Sequence, residues 1–179
     1  MFKKILIGLV LIVAILAIVI ALQPNEFKVT RSITIAAPPA AVFPLVNDFH
    51  QWAKWSPWEQ KDPAMQRTFA GPESGTGSIY SWTGNSEVGK GSMTITESKP
   101  AELILIKLQF EEPMKSECLT EFTFKPQDVG TAVTWTMSGT NNFVGKAFGL
   151  VMNMEKMIGG DFEKGLAKMK EVAEGSAKQ

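Results

Sequence analysis

Six short segments with the alternation of β-strands follow one another between residues 65 and 138, and only brief turns separate them. Apolar side chains at every second position are typical of strands that bury one face. The turns contain glycine, proline or asparagine, and they are too short for a crossover, which takes a dozen or more residues. Consecutive strands must therefore pair antiparallel. The sequence predicts a meander over residues 65–70, 78–83, 88–98, 103–110, 115–125 and 131–138.

A further strand and two short helices precede the meander. Residues 27–35 alternate apolar and polar side chains, which predicts a strand, although Arg31 falls on the apolar face. Pro38 and Pro39 begin a short helix, because proline is tolerated in a first turn, and Pro44 bends or stops it. A second short helix is expected over residues 49–55.

The chain ends in an amphipathic segment. Residues 142–174 carry apolar side chains at helical spacing, with lysines and glutamates on the other side. We expect one long helix with Asn141 or Asn142 as its N-cap. The adjacent Gly159 and Gly160 predict a kink within it. The tail after Gly175 is polar, and we expect its end to fray.

These elements define an α+β fold class. The apolar stripe of the terminal helix needs a partner, and one face of the sheet is the large apolar surface available for it. A sheet of seven antiparallel strands is twisted and curved. Wrapped around a helix, such a sheet leaves space that side chains do not fill.

An uncharged apolar segment precedes the domain. From Ile5 to Leu22 the chain has 18 residues without a charge or a proline, enough to span roughly 27 Å as a helix. Lys3 and Lys4 predict a cytoplasmic N-terminus, so that the domain lies on the extracytoplasmic side of the cytoplasmic membrane. The alternative is a signal peptide that is cleaved to release a secreted protein. The segment is longer than a usual signal core, which favours a retained single-pass anchor. Residues 1–24 then form the anchor and hinge, and residues 25–179 the domain.

Composition excludes several classes of function. Without Lys3 and Lys4 the chain has 16 basic and 18 acidic residues, and the basic residues form no tract. A nucleic-acid partner is therefore not expected. Cys118 is the single cysteine and His50 the single histidine, which argues against a disulfide, a thiolate zinc site or a His-pair metal site. Nothing in the sequence brings Cys118 and His50 together as a nucleophile and its base. We therefore expect no metal and no cofactor, and the sequence identifies no catalytic residue.

Several motifs resemble those of one superfamily. Residues 33–36 (ITIA) followed by 38–43 (PPAAVF), the tryptophan-rich stretch 52–58 (WAKWSPW), the segment 130–135 (GTAVTW) and residues 162–166 (FEKGL) are similar to motifs of START-like proteins. This group, also called SRPBCC, includes polyketide cyclases/dehydrases and lipid-transport proteins. The resemblance covers about residues 27–174 and is more specific for fold than for function.

The resemblance implies a helix-grip fold, in which the sheet grips the C-terminal helix and a cavity lies between them. Met154 and Met157 belong to the apolar stripe of that helix, where thioethers suit an adaptable pocket. Glu97 lies on the same face of its predicted strand as Met93 and Ile95, where it would be a buried acid or base. It also lies near the end of that strand, where it would be exposed to water. Arg31 lies on the same face of its own strand as Val29 and Ile33. It is either near an open sheet edge, in the cavity, or part of a structural ion pair. The candidate cavity residues are Tyr80, Trp82, Glu97, Phe110, Trp135, Met137, Met154, Met157 and Phe162.

Three functions fit this fold. The leading hypothesis is a membrane-tethered domain that binds a hydrophobic small molecule or lipid. The second is an enzyme of the cyclase/dehydratase type that moves protons with polar cavity groups such as Glu97 or Tyr80. The third is an interaction domain whose cavity is filled by its own side chains. The tryptophans at 52, 55 and 58 either cover a ligand or close one end of the core. The superfamily has no universal catalytic motif, so no catalytic residue can be carried over to this chain.

Overall fold

The structure, a computed structural model, describes residues 2–151 and 153–176, without the side chains of Val151 and Met154. In this part of the chain, seven strands form one antiparallel sheet of order β1-β7-β6-β5-β4-β3-β2. The strands are β1 (Glu26–Ile35), β2 (Gln66–Ala70), β3 (Ile79–Thr83), β4 (Lys90–Lys99), β5 (Leu103–Glu112), β6 (Ser116–Gln127) and β7 (Gly130–Thr140). The predicted meander is confirmed, and β1 extends it at one edge by pairing with β7.

The helices before the meander are short. They are α2 (Pro39–Val42), α3 (Pro44–Asn47), a 3₁₀ helix (Phe49–Lys54) and α4 (Pro57–Lys61). Pro44 separates α2 from α3 as expected. The sequence analysis did not predict α4, although Pro57 at its first position is a common start signal.

The terminal amphipathic segment forms two helices, α5 (Phe143–Val151) and α6 (Met154–Ser176). Asn142 caps α5 through its side chain, as predicted, and accepts from the Gly145 N–H at 2.8 Å. Asn153 is not helical, and its side chain accepts from the Lys156 N–H at 2.9 Å. This second cap begins a new helix, so the prediction of one continuous helix is wrong. The interruption precedes Gly159 and Gly160, which lie inside uninterrupted α6.

Helix α6 packs against one face of the sheet. Phe162, Leu166, Met169 and Ala173 point inward and are buried. Fully burying a large apolar side chain contributes about 1.5–3 kcal/mol. These residues recur every three or four positions, which is why a single stripe of α6 supplies the helical side of the core.

Arg31 fastens the first turns of α6 to β1. Its Nε lies 2.6 Å from Glu163 Oε1, and its Nη1 lies 2.8 Å from Glu155 Oε1. The guanidinium lies over Gly159, where a Cβ atom would come within 2.0 Å of Nη2. Arg31 on the apolar parity is thus explained: it faces the helix and forms a structural ion pair there.

The N-terminal apolar segment forms α1 (Phe2–Ala21). Its 18-residue window has a mean hydropathy of 3.1, so the helix is long and apolar enough to cross a membrane. Apart from Ile20 in its last turn, its described side chains are not buried. Helix α1 therefore contributes little to the core of the domain.

Candidate ligand-binding cavity

A cavity of about 130 Å³ lies between the sheet, α4 and α6. Six of the residues predicted to line it do so, and they come from strands β3, β5 and β7 and from α6: Tyr80, Trp82, Phe110, Trp135, Met137 and Phe162. The wall has ten further residues: Trp52 and Trp58, which the sequence analysis offered as a possible cover of the ligand, and eight that it missed, namely Ser56, Glu59, Met65, Glu87, Val88, Met93, Leu108 and Thr120.

Some of the missed residues carried a usable signal. Met93 shares strand parity with Ile95, and Leu108 shares it with Ile106, so both had the pattern of an inward face. Ser56 before Pro57 is a typical helix start, which would have placed Glu59 in the first turn of α4. Met65 and Val88 begin the predicted strands 65–70 and 88–98, but both lie outside the observed strands, as Glu87 does, so strand alternation does not set their orientation.

Glu97 does not line the cavity, which corrects the sequence-based placement. The register of β4 against β5 shifts between Ile95 and Glu97, because Ile95 pairs with Ile106 and Glu97 with Leu105. A bulge of this kind reverses the facing of the residues beyond it. Glu97 is partly exposed and forms an ion pair with Lys99 at 2.8 Å.

Met157 is also absent from the wall. Met157 lies in the first turn of α6, which begins at Met154. Because successive helical residues are rotated by about 100°, Met157 lies about 140° around the helix from the inward Phe162. Its side chain is 47% exposed. The side chain of Met154 lies outside the described part of the structure, so its placement stays a prediction.

Aromatic rings form one side of the cavity. Trp135 stacks on Phe162 with ring centroids 3.9 Å apart and 7° between the planes, as expected for a side chain that faces the terminal helix. Trp58 meets Trp135 edge to face at 5.7 Å. Gly165 permits this close approach of α6, because a Cβ there would lie 3.0 Å from Trp135 Cζ3. Trp52 and Trp55 are buried beside these rings and belong to the core.

The indole N–H of Trp135 is the unusual polar group of this wall. Trp52 donates to the Val46 carbonyl at 3.0 Å, and Trp55 donates to the Leu45 carbonyl at 2.7 Å. Trp82 donates to the Val88 carbonyl at 3.0 Å. Trp135 Nε1, equally buried, has no acceptor among the described residues. Leaving a buried donor unsatisfied costs about 1–3 kcal/mol, so a ligand acceptor that reached this N–H would gain a hydrogen bond.

A buried polar cluster lies on another side of the cavity. The Tyr80 hydroxyl donates to Glu59 Oε1 at 2.7 Å, and Arg67 Nε donates to Glu59 Oε2 at 2.7 Å. Burial raises the pKa of Tyr80, and the neighbouring Glu59 raises it further. The hydrogen bond to Glu59 raises the pKa of Arg67. Both oxygens of Glu59 are therefore engaged, and Tyr80 stays protonated at neutral pH.

The remaining reactive side chains lie away from the cavity wall. Burial raises the pKa of the Cys118 thiol to about 11, which leaves little thiolate at neutral pH. His50 lies 2.8 Å from Asp48 through Nδ1 and stacks on Phe69, beside a shallower cleft of about 340 Å³ near the β2–β3 hairpin. Within residues 2–151 and 153–176, no group of three His, Cys, Asp or Glu side chains is arranged to hold a metal ion.

Comparisons with solved structures find the same architecture. A protein of unknown function from Staphylococcus aureus matches with a TM-score of 0.63 and 13% identity, over 87% of this chain and 98% of its own. A protein from Chromobacterium violaceum matches with a TM-score of 0.59 and 17% identity, over 85% and 99%. BexL, a di-domain ARO/CYC from the BE-7585A biosynthetic pathway, matches with a TM-score of 0.61 and 16% identity, over 87% of this chain and 52% of that chain. Identities this low show the fold alone.

The sequence itself identifies the family. No match was found among curated proteins. The sequence profile of the family described as "Polyketide cyclase / dehydrase and lipid transport" matches residues 26–174, which is most of the chain and contains all seven strands and α6 up to Glu174. With its helix-grip sheet and terminal helix, the chain belongs to the polyketide cyclase/dehydrase and lipid transport family, within the START-like group.

Proposed function

We propose that residues 25–179 form a domain that binds a hydrophobic small molecule or lipid in the cavity between the sheet and α6. The observation that carries this proposal is the composition of the wall, which consists mostly of rings and aliphatic side chains and includes Trp135, whose Nε1 has no acceptor in the described structure. A ligand with an apolar body and a carbonyl or ether oxygen would satisfy both features.

The size of the cavity limits what it holds in this conformation. About 130 Å³ is close to the volume of an engineered apolar cavity that binds benzene, so one ring or a short alkyl segment fits inside. Glu87 is an exposed member of the wall and marks the opening. The rest of a longer ligand would extend past Glu87.

The comparisons support the same class of function. The family description names proteins that act on polyketides and proteins that transport lipids, and BexL is described as an ARO/CYC of a biosynthetic pathway. These ligands are all largely apolar. They support a hydrophobic ligand for this chain without specifying which one.

Helix α1 serves as the membrane anchor in this proposal. Its apolar side chains are exposed along most of its length, as suits contact with lipid. Lys3 and Lys4 favour a cytoplasmic start of α1 and a domain on the other side of the membrane, whereas cleavage after α1 would release the domain. A tethered binding domain has membrane amphiphiles close at hand.

A cyclase- or dehydratase-type enzyme is the second candidate, favoured by Tyr80 and Glu59 at the cavity. Both oxygens of Glu59 already accept hydrogen bonds from Tyr80 and Arg67, which favours a positioning role over that of a free base. Loss of turnover with unchanged ligand affinity in Tyr80→Phe would identify an enzyme.

The test of binding combines ligand detection with a matched pair of substitutions. Native mass spectrometry of the protein gently extracted from its own membrane should detect a copurifying apolar molecule. An environment-sensitive apolar fluorophore should bind the parent protein. Met137→Trp fills the cavity and should abolish fluorophore binding, whereas Met157→Trp makes the same change on an exposed face and should leave it unchanged.

Thermal unfolding accompanies both measurements, because overpacking costs about 1–3 kcal/mol and a misfolded variant would be uninformative. Met93→Phe, a smaller change in the same wall, serves if Met137→Trp does not fold. A folded parent protein that neither carries a ligand nor binds the fluorophore would support the third hypothesis, a filled interaction domain.

A further inference from the structure

Helix α5 exposes apolar side chains to its surroundings. Its nine residues contain a single charged side chain, Lys146, and no acidic one. Phe143 is 55% exposed and Phe148 is 53% exposed, and Val144 and Leu150 are exposed as well. A helix of this composition is normally covered by another apolar phase, because contiguous exposed apolar surface marks an interaction site.

The position of α5 indicates what covers it. The helix contacts the C-terminal end of α1, where Lys146 Nζ donates to the Ala21 carbonyl at 3.1 Å. The chain just before α5 is fixed to the chain just after α1, since the Asn141 N–H donates to the Asn25 carbonyl at 2.7 Å. The apolar surface of α5 therefore lies beside the point at which α1 joins the domain.

A membrane surface is the occupant that fits both helices. If α1 crosses the bilayer, its last turn lies at the boundary between hydrocarbon and headgroups, and α5 lies at the same level. An interfacial helix buries its apolar side about 5–10 Å into this boundary. With one lysine and no basic cluster, α5 would bind through its phenylalanine and aliphatic side chains, with little dependence on anionic lipid.

We propose that α5 is an interfacial helix that inserts Phe143 and Phe148 into the surface of the bilayer that α1 crosses. The proposal rests on the anchoring role of α1 and goes beyond it, because it assigns a membrane contact to the domain itself. A second copy of this chain and a protein partner are the competing occupants, and the experiment below separates them.

The contact would bring the cavity towards the membrane. Helix α5 follows the end of β7 at Thr140, and α1 precedes the start of β1 at Glu26, which pairs with Thr140. Met137 lines the cavity three residues before that end of the sheet. The other end of β7, at Val133 and Thr131, contributes no wall residue. An apolar ligand could thus pass between bilayer and cavity over a short path.

The experiment measures the depth of single labels in the full-length protein, reconstituted in phosphatidylcholine nanodiscs at one chain per disc. In a Cys118→Ala background, a fluorescent label is attached to Phe148→Cys, to Ile12→Cys in α1, or to Val129→Cys. Val129 is 71% exposed in the turn between β6 and β7, at the other end of the sheet, and is the matched control. Brominated phosphatidylcholine quenches labels that contact lipid.

We expect quenching at positions 12 and 148 and none at 129. Quenching at 12 with a water-exposed label at 148 would retain the anchor and overturn the interfacial helix. Absence of quenching at 12 would instead refute the anchor.

A label at 148 that is shielded from aqueous iodide but not quenched by brominated lipid would indicate a protein partner and also overturn the proposal. Shielding seen only with two chains per disc would indicate a second copy of this chain and would overturn it as well. Phe143→Ser, an exposed change compatible with folding, should reduce quenching at 148 several-fold.

Discussion

The indole N–H of Trp135 makes a specific prediction about ligand chemistry. Trp135→Phe keeps an aromatic ring against Phe162 but removes the donor. A net hydrogen bond is worth about 0.5–1.5 kcal/mol, so affinity for an aromatic ketone should fall by up to about tenfold. Affinity for the matching hydrocarbon should change little. Fluorescence-displacement titrations with the two compounds measure the difference.

Trp82→Phe is the control for that measurement. Its N–H donates to the Val88 carbonyl, so its removal should lower stability without discriminating ketone from hydrocarbon. An equal loss of affinity for both compounds in Trp135→Phe would mean that the ring, and not the N–H, contacts the ligand.

Tyr80 provides a direct report on the buried polar cluster, because it is the sole tyrosine of the chain. Burial, followed by Glu59, raises its pKa above the usual 10. The ultraviolet absorbance of the phenolate should therefore appear well above pH 10 in the folded protein and near pH 10 in urea. Glu59→Gln should lower the folded midpoint. A midpoint near 10 in the folded protein would show that Tyr80 is open to water.

The same shift has a consequence for stability. Since the folded phenol binds its proton more tightly than the unfolded one, its contribution is fully present below pH 10. That contribution is lost as the pH rises from 10 towards the folded pKa.

Individual residues also show where sequence reasoning stops. The inward parity of Trp135 and Met137 is visible in the strand pattern, and both line the cavity. Glu97 has the same alternation in the sequence, but the register shift after Ile95 turns its side chain away from the cavity. Thr96 carries no signal of a bulge, since it is an ordinary strand residue. Glu59 replaces Glu97 as the buried cavity carboxylate, and its position depends on a helix too short for periodicity.

At the scale of elements, two neighbouring glycines in α6 test the arginine contact. Gly160→Ala meets no atom within 4 Å and should stabilise the protein by about 1 kcal/mol, the usual gain of alanine over glycine in a helix. Gly159→Ala should give a smaller gain or a loss, because its Cβ displaces the Arg31 guanidinium from Glu155 and Glu163. Urea unfolding of both variants measures the difference.

Repeating the pair in an Arg31→Met background isolates the cause. Without the guanidinium, Gly159→Ala should approach the effect of Gly160→Ala. If the two alanine variants already behave alike with Arg31 present, the arginine does not lie against the helix in solution.

The elements themselves differ in how well the sequence predicts them. Short turns leave consecutive strands no choice but antiparallel pairing, so the meander is predictable. The interruption at Asn153 is not, because the apolar spacing continues across it and the N-cap is a single asparagine. Within α6, Met157 and Phe162 lie about 140° apart, so Phe162 lines the cavity and Met157 does not.

The whole molecule combines a domain with an apolar N-terminal helix, and the proposed topology is testable. A reporter fused after Gln179 should be active only when exported, and the mature protein should retain Phe2 and resist extraction by alkaline carbonate. The reason is the uncharged stretch from Ile5 to Leu22 after Lys3 and Lys4. Replacing both lysines with glutamate should reduce correct insertion. A mature N-terminus near Leu22 would identify a cleaved signal instead.

The pairing of the first strand, β1, with the last strand, β7, determines when this chain becomes able to fold. Ile33 pairs with Val133 and Glu26 with Thr140, so β1 has no strand to pair with until β7 has been synthesised. Until α6 follows, Trp135 and Phe122 lack the helix that covers their face of the sheet. Contacts this distant along the chain form slowly and leave apolar surface open to misassembly. The growing chain would therefore remain incomplete, and in need of protection, until its C-terminal residues have been synthesised.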